Sequence, residues 1–217
     1  MDENTQVSRR SFLWRGLTIP ALLALAACRG QSLGEFLSQI GSESGSGQAA
    51  LAPTPACGDD DDDPTVQQTE GPYFTPNSPE RTSLLEPGIT GTLLVVSGLV
   101  LMTNCQPVAG ALLDFWHCDD SGVYDNVGYR LRGHQFADDS GRYTLETIVP
   151  GLYPGRTRHI HVKVQAPNQP ILTTQLYFPN EPGNASDGIF DPSLVMDVQE
   201  AGSGSQQATF NFVLNTG

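Results

Sequence analysis

The chain has 217 residues and a formal net charge of −13 at pH 7, with 24 acidic residues against 11 basic ones. This length suits one core of ordinary size with extensions, because single hydrophobic cores usually occupy about 100–200 residues. The negative charge excludes electrostatic binding of nucleic acid, whose phosphates attract basic surfaces. We therefore expect small molecules or surfaces as partners.

The first 27 residues have the pattern of an export signal. Arg9 and Arg10 precede an apolar run over residues 17–27, and Cys28 follows directly. The arginine pair resembles a twin-arginine signal, and the run before Cys28 resembles the site at which bacterial lipoproteins are cleaved and diacylated. We expect residues 1–27 to be removed and Cys28 to anchor the protein to a membrane of the bacterial cell envelope. A cleavage site that discards Cys28, leaving a secreted protein, and a retained anchor are the alternatives.

Residues 28–64 have the composition of a disordered linker. They are rich in Gly, Ser and Pro and include five consecutive aspartates, Asp59 to Asp63. Such a segment buries too little apolar surface to fold by itself. The aspartate run is a candidate for calcium binding, but adjacent like charges in a flexible chain favour a solvated acidic stretch.

From residue 65 onward, short apolar runs alternate with Gly, Pro, Asn and Asp, and no segment has a sustained helical period. This pattern predicts an all-β domain over residues 65–217, an antiparallel β-sandwich with long loops and little helix. The predicted strands are 93–101, 111–118, 141–149, 159–165, 172–178 and 208–214. Residues 190–200 are expected to hold one or two helical turns.

Three cysteines follow Cys28 in the sequence. Cys105 and Cys118 flank a turn and a predicted strand, so a disulfide between them is the expectation for an oxidising compartment. Two buried free thiols are the alternative. Cys57 lies in the linker and is expected to stay free or to be capped.

Two histidines mark a candidate metal site. His159 and His161 lie two residues apart in a predicted strand, so both imidazoles face the same side. Imidazole binds iron, zinc, copper and nickel, so the pair alone does not select a metal, and a hydrogen-bonded or solvent-facing pair is equally common. A Gly- and Pro-rich loop brings Tyr153 towards this face, and a turn presents Tyr124.

Three blocks of sequence around these residues form a signature. They are Thr69–Phe74 (TEGPYF), Asp114–His117 with Gly122–Tyr124 (DFWH, GVY), and Thr147–Pro154 with His159–His161 (TIVPGLYP, HIH). Together they resemble the intradiol ring-cleavage dioxygenases, the family of catechol, hydroxyquinol and protocatechuate dioxygenases. The resemblance spans about residues 65–178 and implies an immunoglobulin- or transthyretin-like core. The implied activity opens a catechol-type ring between its two hydroxyl-bearing carbons with O2, giving a muconic-type diacid.

The resemblance also implies a set of site residues. Its implied cofactor is non-heme Fe(III), held by Tyr124, Tyr153, His159 and His161. Tyr153 corresponds to the ligand that leaves the iron when substrate binds and accepts a proton, and Arg156 to an arginine that stabilises charge on the ring. Tyr73 and Gln175 match substrate-pocket positions. The implied partners are a small aromatic diol and O2.

The sequence departs from the family in two respects. Residues 29–64 lack the helical region through which cytoplasmic catechol dioxygenases dimerise. A homodimer of this chain would therefore need a different interface. The loops between Tyr153 and His159 and between Tyr124 and Gly141 are short. They predict a shallow, open pocket that suits larger catechols such as plant-derived phenolics.

Two other functions compete with the enzyme. One is a catalytically silent family member that binds a ligand or a surface through the same fold. The other is a zinc or copper β-sandwich that uses the histidine pair, which gives no reason for the two tyrosines.

Overall fold

The protein is represented by a computed structural model that describes residues 63–215. The predicted signal, Cys28, Cys57 and the linker through residue 62 lie outside the described residues. No helix within the described range is long and apolar enough to cross a membrane.

Residues 63–215 fold into two β-sheets with short 3-10 turns. The strands are β1 Leu93–Met102, β2 Leu112–Trp116, β3 Arg132–Phe136, β4 Arg142–Ile148, β5 His159–Gln165, β6 Leu172–Tyr177, β7 Asp197–Ala201, β8 Ser205–Thr209 and β9 Phe212–Leu214. One sheet has the order β4-β1-β8-β7 with β9 also paired to β1, and the other has the order β3-β2-β5-β6. The 3-10 turns are Pro182–Ala185, Pro192–Leu194 and Gly202–Gly204. The predicted all-β sandwich with little helix is confirmed.

Alternation along β5 separates the core from the functional face. Ile160, Val162 and Val164 are fully buried in the cluster that both sheets share. His159 and His161 point to the opposite face, yet each is only 3% exposed. A further layer must therefore cover the outer side of the four-stranded sheet.

That layer is a small aromatic cluster. It contains Trp116, Cys118 and Tyr124, with Tyr73, Phe74 and Tyr153 packed against them. Phe115, the neighbour of Trp116 in β2, belongs to the main core, so β2 alternates in the same way as β5. The candidate site therefore lies on the outer face of the four-stranded sheet.

Several strands differ from the sequence-based prediction. β3 was not predicted because its sequence is polar; it is held by residues 79–81, whose backbone hydrogen-bonds to His134. The predicted strand 208–214 is two strands, β8 and β9, and both pair with β1 in parallel. β8 and β9 separate at Phe210. The carbonyl oxygen of Phe210 would lie 1.8 Å from a Cβ added to Gly98 in β1, so only glycine fits at position 98.

The segment 190–200 holds one helical turn, as predicted, together with a strand that was not predicted. Only Pro192–Leu194 forms a helical turn, and the strand β7 follows it. β7 is largely exposed along its length, so its residues need not alternate between apolar and polar types. Its sequence therefore carries no period that identifies a strand.

The predicted disulfide between Cys105 and Cys118 is wrong. Cys118 is a free, buried thiol whose Sγ lies 3.4 Å from the carbonyl oxygen of Gly151, whereas Cys105 is disulfide-bonded elsewhere. The two cysteines belong to different parts of the sandwich, since Cys105 follows β1 and Cys118 follows β2 on the site face. Burial raises the pKa of the Cys118 thiol to about 11.

His117 joins the two sheets. Its Nδ1 lies 2.7 Å from the carbonyl oxygen of Cys118, and its Nε2 lies 2.7 Å from Oγ1 of Thr147 in β4. Burial lowers the pKa of His117 to about 4, despite the opposing effect of the Cys118 carbonyl. The imidazole is therefore neutral at pH 7, as expected of a structural histidine.

His117 makes folding stability depend on pH. The unfolded chain takes up a proton on this histidine below its ordinary pKa of 6.5, whereas the folded chain does so only near pH 4. Stability from this group is therefore lost as pH falls between those values, by about 2 kcal/mol between pH 7 and pH 5. Urea unfolding at both pH values should show a loss about 2 kcal/mol smaller for His117→Gln than for the wild type. Equal losses in both proteins would contradict this role.

Candidate metal centre

Two imidazole nitrogens converge on the outer face of β5. Nε2 of His159 and Nε2 of His161 lie 3.1 Å apart. Nδ1 of His159 lies 2.7 Å from the carbonyl oxygen of Thr157, so Nδ1 carries the hydrogen and Nε2 presents its lone pair. A histidine that donates its other nitrogen to a backbone carbonyl is typical of metal sites. The ring of Trp116 stacks on His161 at 4.8 Å and fixes the second imidazole.

Tyr124 contacts this pair from the loop after β2. Its Oη lies 3.3 Å from Nε2 of His159, and its side chain is buried. The loop approaches because Gly122 has φ +82° and its Cβ would lie 2.3 Å from the carbonyl oxygen of Leu152. A side chain at position 122 would separate the segments that carry Tyr124 and Tyr153.

Tyr153 completes a group of three packed tyrosines. Its ring lies 5.7 Å from that of Tyr124, and its Oη lies 2.8 Å from Oη of Tyr73. The ring of Tyr73 stacks on Tyr124 at 4.5 Å between centroids. The structure therefore brings three of the four predicted ligands into direct contact, and Tyr153 is linked to them through Tyr124.

The donor set fits a trivalent metal ion. Burial lowers the pKa of His159 to about 4 and that of His161 well below its ordinary value, so both are uncharged ligands at neutral pH. Their two Nε2 atoms lie 3.1 Å apart, close enough for both to bind one shared cation. Burial also raises the pKa of Tyr124, and a bound cation reverses this effect by holding the phenolate form. Two imidazoles and two phenolates suit Fe(III), because hard oxygen donors favour the higher charge.

The candidate centre offers zinc and copper fewer of their usual ligands than it offers iron. Within residues 63–215 there is no cluster of three or more His, Cys, Asp and Glu side chains able to hold a metal ion. A zinc or copper site of the usual type needs such a third ligand. At this centre, the third and fourth donors are phenols.

Arg156 and Gln175 lie beside the histidine face. Gln175 is directly opposite His161 in the β5–β6 pair and is fully buried. Its Oε1 accepts a hydrogen bond from Nη2 of Arg156 at 2.8 Å, and its Nε2 donates to the carbonyl oxygen of Thr69. Arg158 is directed elsewhere, since its Nε donates to Glu181 at 2.6 Å. The arginine next to the candidate centre is therefore Arg156.

Comparison with known proteins identifies the family. A family model described as a dioxygenase matches residues 69–216. The chain belongs to the intradiol ring-cleavage dioxygenases. The structure of a 3-chlorocatechol 1,2-dioxygenase from Rhodococcus opacus 1CP is 30% identical, with a TM-score of 0.64, and covers 70% of this chain and 72% of that chain.

Other intradiol dioxygenases are similar over the same region. A catechol 1,2-dioxygenase of Candida albicans is 30% identical over 148 residues, which are 55% of this chain and 49% of that protein. The chain thus spans about half the length of several curated relatives that it matches. The dioxygenase domain of a dioxygenase carbohydrate-binding protein fusion from Streptomyces sp. SirexAA-E is 57% identical, with a TM-score of 0.69. It covers 71% of this chain and 100% of that chain.

A buried arginine that the sequence did not single out supports the candidate centre. Arg132, 1% exposed, donates from Nε and Nη2 to the carbonyl oxygen of Asp125 and from Nη1 to the carbonyl oxygen of Tyr73. It thereby joins the segment that carries Tyr73 to the loop that carries Tyr124. Its partners are backbone carbonyls, so no residue type in the sequence indicated them.

Gly71 keeps one wall of the centre clear. A Cβ at this position would lie 3.4 Å from Cε1 and 3.9 Å from Nε2 of His161, and its φ of +69° favours glycine. We expect Gly71→Ala to weaken iron binding about tenfold, because the methyl group would lie in van der Waals contact with the ring of a ligand histidine and the backbone is strained. Titration with iron, followed by visible absorption, measures the change.

Gly110→Ala is the matched control. Gly110 has φ +66°, close to that of Gly71, and its Cβ would meet nothing within 4 Å. It carries the same backbone strain with no contact to the centre, so its iron affinity should equal that of the wild type. Equal iron affinities for the two variants would show that the space beside His161 is unimportant.

Proposed function

We propose that the protein is a ferric intradiol dioxygenase that cleaves a catechol-type ring between the two hydroxyl-bearing carbons, using O2. One observation carries this proposal. Nε2 of His159 lies 3.3 Å from Oη of Tyr124 and 3.1 Å from Nε2 of His161, with a second tyrosine and an arginine beside them. Tyr124, Tyr153, His159 and His161 would hold Fe(III). Bound ferric iron supplies a Lewis acid that withdraws electron density from a chelated catechol.

The chain's own residues account for proton transfer and charge. Tyr153 is the proposed base, accepting a catechol proton at Oη as the substrate displaces it. Oη of Tyr73, 2.8 Å away, would keep Tyr153 hydrogen-bonded in the displaced position. Arg156 provides a fixed positive charge near the ring, and Gln175 holds that charge in place.

The proposed substrates are catechols that carry a substituent. Relatives of the chain are named for catechol, chlorocatechol and hydroxyquinol. Leu152, which precedes Tyr153, is 54% exposed, and Ile189, two residues after the Asp187 that binds Arg156, is 38% exposed. These apolar side chains suit a substituent that extends out of the site. Higher kcat/KM for caffeate than for catechol is expected, and the reverse order would count against this preference.

An oxygen-uptake assay tests the activity. The purified, iron-loaded full-length protein is supplied with catechol, hydroxyquinol, protocatechuate and caffeate in turn. Uptake of about one O2 per substrate is expected, with both atoms of isotopically labelled O2 in the ring-opened diacid. Protein that binds iron and a catechol without consuming O2 would instead be a silent binding module.

We also propose that the protein is exported and anchored through lipidated Cys28, with an acidic linker to the catalytic domain. The support is the arginine pair Arg9 and Arg10 before the apolar run that ends at Cys28. In a bacterial host, Cys28→Ser should move the protein from the membrane fraction to the soluble fraction. Arg9→Lys combined with Arg10→Lys should keep it inside the cell. Unchanged fractionation of both variants would refute the anchor.

A further inference from the structure

Asp187 lies at the outer end of the Arg156 network. Its side chain is 3% exposed, and its Oδ2 accepts hydrogen bonds from Nε of Arg156 at 2.8 Å and from the backbone N–H of Thr157 at 2.9 Å. Its Oδ1 accepts the backbone N–H of Ile189 at 3.1 Å. With both oxygens engaged, the carboxylate is a fixed anchor for the guanidinium group.

The carboxylate of Asp187 is charged at neutral pH. Burial raises its pKa, but the hydrogen bonds from Thr157, Ile189 and Arg156 outweigh burial, so the pKa lies below its ordinary value. Arg156 therefore forms a charge-assisted pair in which both partners are shielded from water, at 20% and 3% side-chain exposure.

The opposite end of the network is equally fixed. Nη2 of Arg156 donates to Oε1 of Gln175 at 2.8 Å and lies 3.5 Å from Oη of Tyr177. Oη of Tyr177 lies 3.1 Å from the carbonyl oxygen of Ile189 and 3.3 Å from Oε1 of Gln175, so its one hydrogen has two acceptors within reach. Because a guanidinium is planar and rigid, two contacts at Nε and Nη2 determine its plane. Nη1 has no hydrogen bond to any residue in the described range.

We propose that Asp187 is a positioning residue that aims the Arg156 guanidinium at the ring of the bound catechol. This inference rests on the proposed function. Asp187 acts through Arg156 and does not touch the substrate. Asp187 and Arg156 are 31 positions apart in sequence, so through this ion pair the loop between β6 and β7 contributes to the site.

The variant Asp187→Asn tests the proposal. It keeps the shape of the side chain and one acceptor oxygen but removes the charge. We expect kcat per bound iron to fall about tenfold, with KM for catechol within about twofold, because Arg156 acts on charge that develops during the reaction. In an Arg156→Ala background, the same substitution should change kcat less than about twofold, since the guanidinium through which Asp187 acts is gone.

Glu181→Gln is the matched control. It removes the neighbouring ion pair between Glu181 and Arg158, which joins the same two segments at 2.6 Å. Its kcat should stay within about twofold of the wild type. A separate readout is the visible absorption of the iron-loaded protein with nitrocatechol bound anaerobically. The band should shift alike in Asp187→Asn and Arg156→Ala and stay unchanged in Glu181→Gln.

Three results would overturn the proposal. They are an unchanged kcat in Asp187→Asn, an equal loss with and without Arg156, and a loss of cooperative unfolding in Asp187→Asn, which would mark a purely structural role. Failure of the proposed function is distinguishable from these results. A wild-type protein without ring cleavage would refute the dioxygenase, whereas the anaerobic band comparison would still report on Asp187.

Discussion

Replacing His161 by alanine is expected to remove iron and ring-opening activity together. The substitution deletes one of two imidazoles whose Nε2 atoms lie 3.1 Å apart, and no other His, Cys, Asp or Glu cluster in residues 63–215 offers a replacement. We expect kcat/KM to fall at least about a thousandfold, equivalent to about 4 kcal/mol of transition-state stabilisation. Iron content by mass spectrometry and oxygen uptake on the same preparation measure the two effects.

His134→Ala serves as its control. His134 lies in β3, and its Nδ1 is 2.7 Å from the carbonyl oxygen of Ser78, with no contact to the tyrosine group. This variant should bind iron normally and lose only about 1 kcal/mol of stability. Full oxygen uptake by His161→Ala would remove the metal assignment.

Replacing Tyr153 by phenylalanine is expected to separate iron binding from catalysis. Tyr124, His159 and His161 would still hold iron, at reduced affinity, but the proposed base and displaced ligand would be absent. A positioned base contributes about a hundredfold to ten-thousandfold, so kcat/KM should fall within that range. The tyrosinate-to-iron absorption should weaken because one phenolate is lost. Stopped-flow absorption and steady-state oxygen uptake follow both quantities.

Tyr129→Phe is the matched tyrosine control. The hydroxyl of Tyr129 donates to the carbonyl oxygen of Pro76 and its side chain is 37% exposed, outside the tyrosine group. Its activity and absorption should match those of the wild type. If Tyr153→Phe retained the wild-type kcat/KM, proton transfer through Tyr153 would be ruled out.

The sequence indicated the fold because burial follows local patterns in most strands. β5 was predicted with its observed bounds, since histidines alternate with Ile160 and Val162 and each set has its own face. β3 and β7 were not predicted, because neither strand has a regular alternation of apolar and polar residues. β3 is polar and is held by hydrogen bonds to residues 79–81, and β7 is an exposed edge without a period.

The sequence predicted which residues of the candidate site could bind a metal. It did not predict the residues that hold those ligands in place. The proposed ligands are recognisable as residue types at characteristic spacing, and their convergence follows from strand alternation and tight glycine turns. Arg132 and Asp187 were missed because their roles depend on backbone carbonyls and on one ion pair across 31 positions. The disulfide prediction failed because proximity in sequence does not reveal which face each cysteine occupies.

Anomalous diffraction at the iron absorption edge, from crystals of the iron-loaded protein, tests the central claim most directly. We predict one peak within bonding distance of Oη of Tyr124, Oη of Tyr153, Nε2 of His159 and Nε2 of His161. A peak located elsewhere, or a metal bound without either phenol oxygen, would contradict the account.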